Sequence, residues 1–436
     1  MPALILAVLL ADAVCVQGSP VVQESSGQNL ADSLANESSS PTNRAQGANN
    51  QDYLVIAQQV IRIVEDNFYS TDKFNQAYQL AKQQLLDVAQ TCQNRQEFAT
   101  SMNRCLASLK ASHTYYLTPE EVEYYHLAAI FEKVPAVQAM LKEQHVTYPT
   151  IGVVTQWIQD QWVVVSVLPD GPSDGLLQVG DVLRVTGNLP FSPVASLRSR
   201  IDHPTQFQIK RSGTAMTLTI VPKLVRPKQE LLDAMNSSIK IHKIEGRKIG
   251  YVHIYSYAGI EYQNALEESI AWGVLKDADA LVIDLRFGPG GADTKYLNIF
   301  NQNIPKLIMI DPKGNQTVID PQWRKPAVLL VDPTSRSGKE VFAYGAKKFG
   351  YAKIVGGPTA GAVLAGSPFP ISNGDLLYLA VRDVIVDGIQ LEGKPVQPDI
   401  SVVWNPIDCN GRDQQIETSL LEAAKMSKSA SKQNRP

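Results

Sequence analysis

A serine on the turn between a strand and a helix is a candidate nucleophile, and this chain carries one at Ser337. The apolar run 327–331 reads as a buried strand and residues 339–348 as a helix, with a short turn of small and polar residues between them. A hydroxyl there is exposed, and the unpaired amides of the helix N-terminus face the place where an oxyanion would form. The same residues also fit a capping box, with Ser337 at the N-cap and Glu340 three positions on. On these residues alone, both readings stand. A neutral serine needs a base within hydrogen-bond reach, and histidine titrates near neutrality. The six histidines are scattered. His253 falls in a predicted strand and His126 in a predicted helix, where both read as structural.

The elements that must position these groups change character along the chain. Residues 19–50 are rich in Ser, Gln, Asn and Gly and read as a disordered linker. From 51 to 146 the pattern is helical, with Leu54, Ala57, Ile61, Val64 and Phe68 on one face and Asn94 with Glu97 opening a third helix. From 147 to 225 short strands alternate with turns, which predicts a small β module. From 226 to 408 strands and helices alternate, and 280–285 is a continuous apolar strand running into the turn Phe287-Gly288-Pro289-Gly290-Gly291. Such alternation predicts an α/β core with chemistry at the strand C-terminal ends. Residues 409–436 read as a helix followed by a disordered tail.

Composition excludes several classes. A net charge of -3 leaves no electrostatic footprint for nucleic acid. No Cys-x-x-Cys pair or histidine cluster is present, so no metal site and no cofactor is expected. Residues 1–18 read as a secretory signal peptide, with an apolar run from Leu4 to Leu10 that is too short to span a bilayer and no Lys or Arg before it. The expected location is therefore secreted or periplasmic. Export permits disulfides, so Cys92 and Cys105 read either as a bridge or as two buried thiols.

Several motifs fall in the order of one family. The chain resembles the C-terminal processing peptidase and tricorn-like serine peptidases over about residues 51–404. Gly171-Pro172-Ser173-Asp174-Gly175-Leu176 with Gly180-Asp181-Val182-Leu183 resembles that family's PDZ signature. Asp284-Leu285-Arg286 with Pro289-Gly290-Gly291 resembles its oxyanion loop, and Ser337 with Glu340 its nucleophile motif. Val355-Gly356 with Pro358-Thr359 and Gly361, and then Val396-Gln397-Pro398-Asp399-Ile400, complete the series. The processing-peptidase branch uses a Ser–Lys dyad, but the lysine position is Ala362 here. Lys339, at the start of the helix, is expected to point outward. The tricorn branch uses a Ser-His-Ser-Glu tetrad, and Ser112, His113, Ser337 and Glu392 occupy all four matching positions.

The resemblance implies an α/β fold (α+β overall): a crotonase/ClpP-like protease core, an N-terminal helical domain and an inserted PDZ-like module. It implies an exported serine endopeptidase acting on protein or peptide substrates. His113 would be the base, supported by Glu392 and Ser112, and the amides of Gly338, Gly290 and Gly291 would hold the oxyanion. Ile151, Gly152 and Val153 would form the peptide-binding edge of the module. The alternative is a catalytically inactive ligand- or peptide-binding protein on the same scaffold, which Ala362 favours.

Overall fold

A computed structural model describes residues 50–433. The signal peptide at 1–18 and all but the last residue of the linker at 19–50 lie outside the described residues. The chain begins with helices α1 (Asn50–Asn67), α2 (Gln76–Thr91) and α3 (Arg95–Ala107), then β1 (Tyr115–Leu117), α4 (Val122–Ile130) and α5 (Pro135–Leu141). Asn94 caps α3 by accepting from the Glu97 amide at 2.9 Å, and Glu97 reaches back to the amide of Gln93 at 3.0 Å. Cys92 and Cys105 are free, buried thiols, so the bridge does not form. No helix among the described residues is long and apolar enough to cross a membrane.

The β module follows: β2 (Tyr148–Thr150), β3 (Val153–Ile158), β4 (Gln161–Val167), β5 (Val182–Thr186), β6 (Leu189–Pro190), β7 (Thr205–Arg211), β8 (Thr214–Ile220) and β9 (Lys223–Val225). Its antiparallel sheet runs β3-β4-β5-β7-β8, with β6 beside β5, around a core that includes Val164, Leu183, Phe207 and Ile209. Strands β2 and β9 pair with each other, Tyr148 opposite Val225, and form a neck where the chain enters and leaves.

Beyond the neck come α6 (Pro227–Ser238), β10 (Lys240–Ile244), β11 (Arg247–His253), α7 (Ile260–Ala271) and β12 (Ala280–Asp284). Then follow the hairpin β13 (Leu307–Ile310) and β14 (Gln316–Ile319), β15 (Ala327–Val331), α8 (Gly338–Lys348) and β16 (Lys353–Gly356). The chain ends with β17 (Ala365–Pro370), β18 (Leu376–Arg382), β19 (Ile385–Val386), β20 (Ile389–Gln390), β21 (Ile400–Ser401) and α9 (Gln414–Gln433).

The main sheet runs β10-β11-β12-β15-β16-β21, antiparallel at β10 and parallel from β11 onward. Every residue of β12 and β15 is buried, as strands covered on both faces require. Alternation assigns Leu281, Ile283 and Leu329 to the face packed by α6, α7 and α8, and Val282, Val328 and Leu330 to the face packed by α9. Next to this sheet, β1 pairs antiparallel with β18 and β18 with β17, and α1–α3 pack on that sheet. The loop before β1 is thereby docked on the last third of the chain.

Candidate active site

Strand β15 delivers the chain at its C-terminal end into a cross-braced turn. Ser335 is fully buried and donates its hydroxyl to the carbonyl of Leu285 at 3.1 Å. Thr334 accepts from the Phe287 amide at 2.7 Å and donates to the Asp332 carboxylate. Ser337 then sits at φ 59°, ψ −131°, a left-handed conformation that is strained for a residue with a β-carbon, and opens α8. Its side chain makes no capping bond. Glu340 accepts from Thr359 Oγ1 and the amides of Gly361 and Ala362 at 2.6–2.7 Å while staying close to the Ser337 amide. The capping-box reading fails at Ser337, whose hydroxyl makes no capping bond.

Ser112 and His113 stand in the loop before β1, and the β1–β18 pairing carries them to Glu392. The Ser112 amide donates to Glu392 Oε1 at 2.9 Å, and its hydroxyl donates to Glu392 Oε2 at 2.8 Å. Ser112 Oγ lies 2.8 Å from His113 Nδ1. A hydroxyl has one proton; given to Glu392, it leaves the oxygen to accept from Nδ1–H, so the Nε2 lone pair is the basic one. Glu392 also accepts from the amides of Val363 and Leu364. The backbone of His113 is itself left-handed, at φ 53°.

Burial pushes the His113 pKa down to about 4, and the Arg336 guanidinium pushes the same way, against Glu392 and Glu123. Arg336, adjacent to Ser337, pairs with Glu123 of α4, which makes a second tie between helical layer and nucleophile turn. No hydrogen bond joins His113 to Ser337 among the described residues. They share one support: the Ser337 amide donates to the carbonyl of Ala362 at 2.8 Å, next to the Val363 amide that holds Glu392. Ala362, where a dyad would place lysine, contributes only backbone.

The glycine turn is laid against Ser337. A β-carbon added to Gly290 would sit 2.7 Å from Ser337 Cβ and 3.1 Å from the Gly338 nitrogen. One added to Gly338 would sit 2.9 Å from the Gly291 carbonyl carbon. The two turns pack this closely only because these residues lack side chains. The amides of Gly290, Gly291 and Gly338 have no protein acceptor among the described residues. They are the donors an oxyanion would need.

Lys339 corrects one expectation. It is fully buried rather than turned outward, and its Nζ donates to the carbonyls of Tyr255 at 3.0 Å and Phe287 at 2.5 Å. Burial pushes its pKa down to about 7. The available signal was periodicity: Lys339, Phe342, Ala343 and Ala346 share one face of α8.

In the β module, Ile151 is buried in the core and Val153 pairs with Val167. Gly152 is packed under Pro172 at φ 72°, and its amide donates to Thr150 Oγ1 at 2.9 Å. His253 is buried with its Nε2 3.0 Å from the Arg286 carbonyl, and His126 Nε2 is buried without a partner.

Residues 248–402, holding the glycine turn, Ser337 and Glu392, match peptidase family S41. The likeness to family S41 is confined to this core. A probable CtpA-like serine protease of Staphylococcus epidermidis is 23% identical over 320 residues, 70% of this chain and 60% of that protein. Its namesake in Staphylococcus aureus is 26% identical over 272 residues, 58% of this chain and 52% of that protein. The chain thus spans little more than half the length of these curated relatives. The crystal structure of the tricorn protease matches 87% of this chain and 37% of its own, with 15% identity and a TM-score of 0.52, a likeness of fold. The S41 match begins at Lys248, so it omits Ser112 and His113.

Proposed function

We propose that this chain is a serine endopeptidase that hydrolyses protein or peptide substrates with Ser337 as nucleophile and His113 as general base. The observation that carries this reading is the hydrogen-bonded chain Glu392–Ser112–His113 on the same backbone strip that holds strained Ser337. In the reaction, His113 Nε2 takes the Ser337 proton as Oγ attacks the scissile carbonyl. The amides of Gly338 and of Gly290 or Gly291 stabilise the tetrahedral oxyanion. Collapse breaks the C–N bond and His113 returns the proton to the leaving amine; water then releases the acyl group by the same steps. The step requires His113 Nε2 and Ser337 Oγ to come within hydrogen-bond reach, which side-chain rotation within the docked layers would supply.

The test is covalent labelling with a fluorophosphonate, read by mass spectrometry of the modified peptide. Labelling of Ser337 in the intact chain, lost in His113→Ala, supports the reading. Labelling at Ser335, or none in a folded sample that cleaves protein, overturns it. Ala362 favours the second reading, an inactive binder, in which Ser337→Ala leaves ligand affinity unchanged and no turnover exists to lose.

The finer architecture belongs to the same proposal: a helical domain at 51–146, a PDZ-like domain at 147–225 and a crotonase/ClpP-like core at 226–408. The unpaired edge of β3, beside Ile151 and Gly152, would take an extended substrate segment by strand addition. Residues 1–18 would direct export to the periplasm or the medium; N-terminal sequencing of the mature protein tests that.

A further inference from the structure

Lysine at position 339 is costly. Its side chain is fully buried, and no ion pair among the described residues includes it; the Asp284 and Asp332 carboxylates act on it only from beyond ion-pair distance. A buried charge without a partner is destabilising, and an apolar side chain would suit this face of α8 better. What the ammonium touches explains its presence. It bridges two carbonyls, Tyr255 just beyond β11 and Phe287 just beyond β12, strands that are neighbours in the sheet.

Phe287 is the residue on which the glycine turn hinges. It has φ 58°, which is an outlier for a bulky side chain, and Gly288 follows at φ 62°. Gly288 lies so close to Tyr255 that a β-carbon on it would be 2.1 Å from the Tyr255 carbonyl oxygen. Such a conformation persists only where its surroundings over-determine it. Two side chains do so, one at each end of Phe287: Thr334 holds its amide at 2.7 Å and Lys339 its carbonyl. Both come from the segment that carries Ser337. The nucleophile turn therefore grips the glycine turn on both sides, and the spacing of Gly290 and Gly291 from Ser337 follows from that grip.

We propose that Lys339 is a positioning residue for the hydrolysis: its ammonium, held between the Tyr255 and Phe287 carbonyls, sets the glycine turn so that the amides of Gly290 and Gly291 meet the oxyanion formed at Ser337. The inference rests on the serine chemistry proposed above. A residue that aligns oxyanion donors acts on the transition state, not on ligand affinity, so its removal lowers the rate at saturation and leaves the half-saturating concentration alone.

The experiment compares the full chain with Lys339→Met, Thr334→Val and the double variant. The readouts are the concentration dependence of fluorophosphonate inactivation and the hydrogen exchange of peptides covering residues 285–292. Lys339→Met keeps the side chain's length and removes the buried charge, so the fold is retained. The expected result is a limiting inactivation rate lower by about tenfold or more, with half-saturation unchanged within about twofold. Thr334→Val should act in the same direction, and the double variant should lose less than the product of the two singles, because both act through Phe287. Exchange across 285–292 should quicken in each variant. An inactivation rate within about threefold of the parent in folded Lys339→Met overturns the inference while the proposed function stands. If the parent chain itself is not labelled, the proposed function fails, and exchange alone decides whether Lys339 holds the turn: unchanged protection overturns that too.

Discussion

At the scale of single residues, His113 is prepared to be neutral. Burial holds it unprotonated far below the usual imidazole range, so its basic form is present throughout the neutral region. The kcat/KM of the free enzyme should therefore keep its value from neutrality down to about pH 5 and fall as pH drops through about 4. A pH–rate profile on a peptide substrate checks this; a limb centred near the unperturbed histidine value would mean that His113 is solvated in the working state. His113→Ala should lower kcat by roughly three orders of magnitude or more, since an activated serine depends on its base. Its folding stability should also fall, by about 1–3 kcal/mol, because a buried, hydrogen-bonded ring is removed at a left-handed position; urea denaturation of the same sample reads this, and the loss of kcat is measured where the variant remains folded.

At the scale of elements, two contacts between turns matter most. The glycine turn and the Ser337 turn approach so closely that not one methyl group fits between them. Gly290→Ala would press a β-carbon against Ser337 Cβ and the Arg336 carbonyl, 2.7 and 2.6 Å away. Backbone must move, so turnover should fall by about a hundredfold, the usual cost of one misplaced oxyanion donor. A crystal structure or exchange data would show the displaced turn, and full activity would place the oxyanion elsewhere.

The other contact lies on the opposite side of β12. Asp284 is fully buried, which alone would raise its pKa, but the Arg286 guanidinium holds it well below the usual carboxylate range. Arg286 also reaches Asp413 and Gln415 at the start of α9. The side chain of Arg286 thus fastens the last helix rather than facing substrate. Arg286→Ala strands a buried carboxylate and should cost about 3–5 kcal/mol in urea denaturation, with α9 exchanging first.

At the scale of the whole molecule, the site is assembled from segments more than two hundred residues apart. The pairing of β1 with β18 and the Arg336–Glu123 bridge hold the helical layer against the core. The β module is attached through the β2–β9 neck, where Thr150 and Lys223 stand opposite each other. A short turn can join the paired ends of β2 and β9 in place of residues 151–222; the deletion also removes Leu168 from the main core and the Arg198–Glu120 and Ser212–Asn410 contacts. That deletion should lower kcat/KM on a protein substrate much more than on a small activated ester, because only the former needs an added strand or a recruited end. Equal losses on both would show that the module only supports the fold.

Much of this could be read from the chain alone. Continuous apolar runs mark β12 and β15, and the helical spacing of Leu54, Ala57, Ile61, Val64 and Phe68 marks α1. Such patterns are local, since a buried strand or helix face records its own solvent exposure in its sequence. The strand–turn–helix around Ser337 is local too, and so is the chemistry its serine could perform.

Tertiary structure decided what depends on partners distant in sequence. Ser337 as cap or as free hydroxyl was undecided until its hydroxyl was found to make no capping bond. Ser112 and His113 carry no periodic signal; only the resemblance singled them out, and the β1–β18 register brought them to Glu392. Lys339 was expected to face outward because charge prefers water, and the structure turned it inward to two carbonyls. Hydrophobic patterning reports whether a residue type suits burial, but a buried polar group is stabilised by named partners, and those are set by the fold.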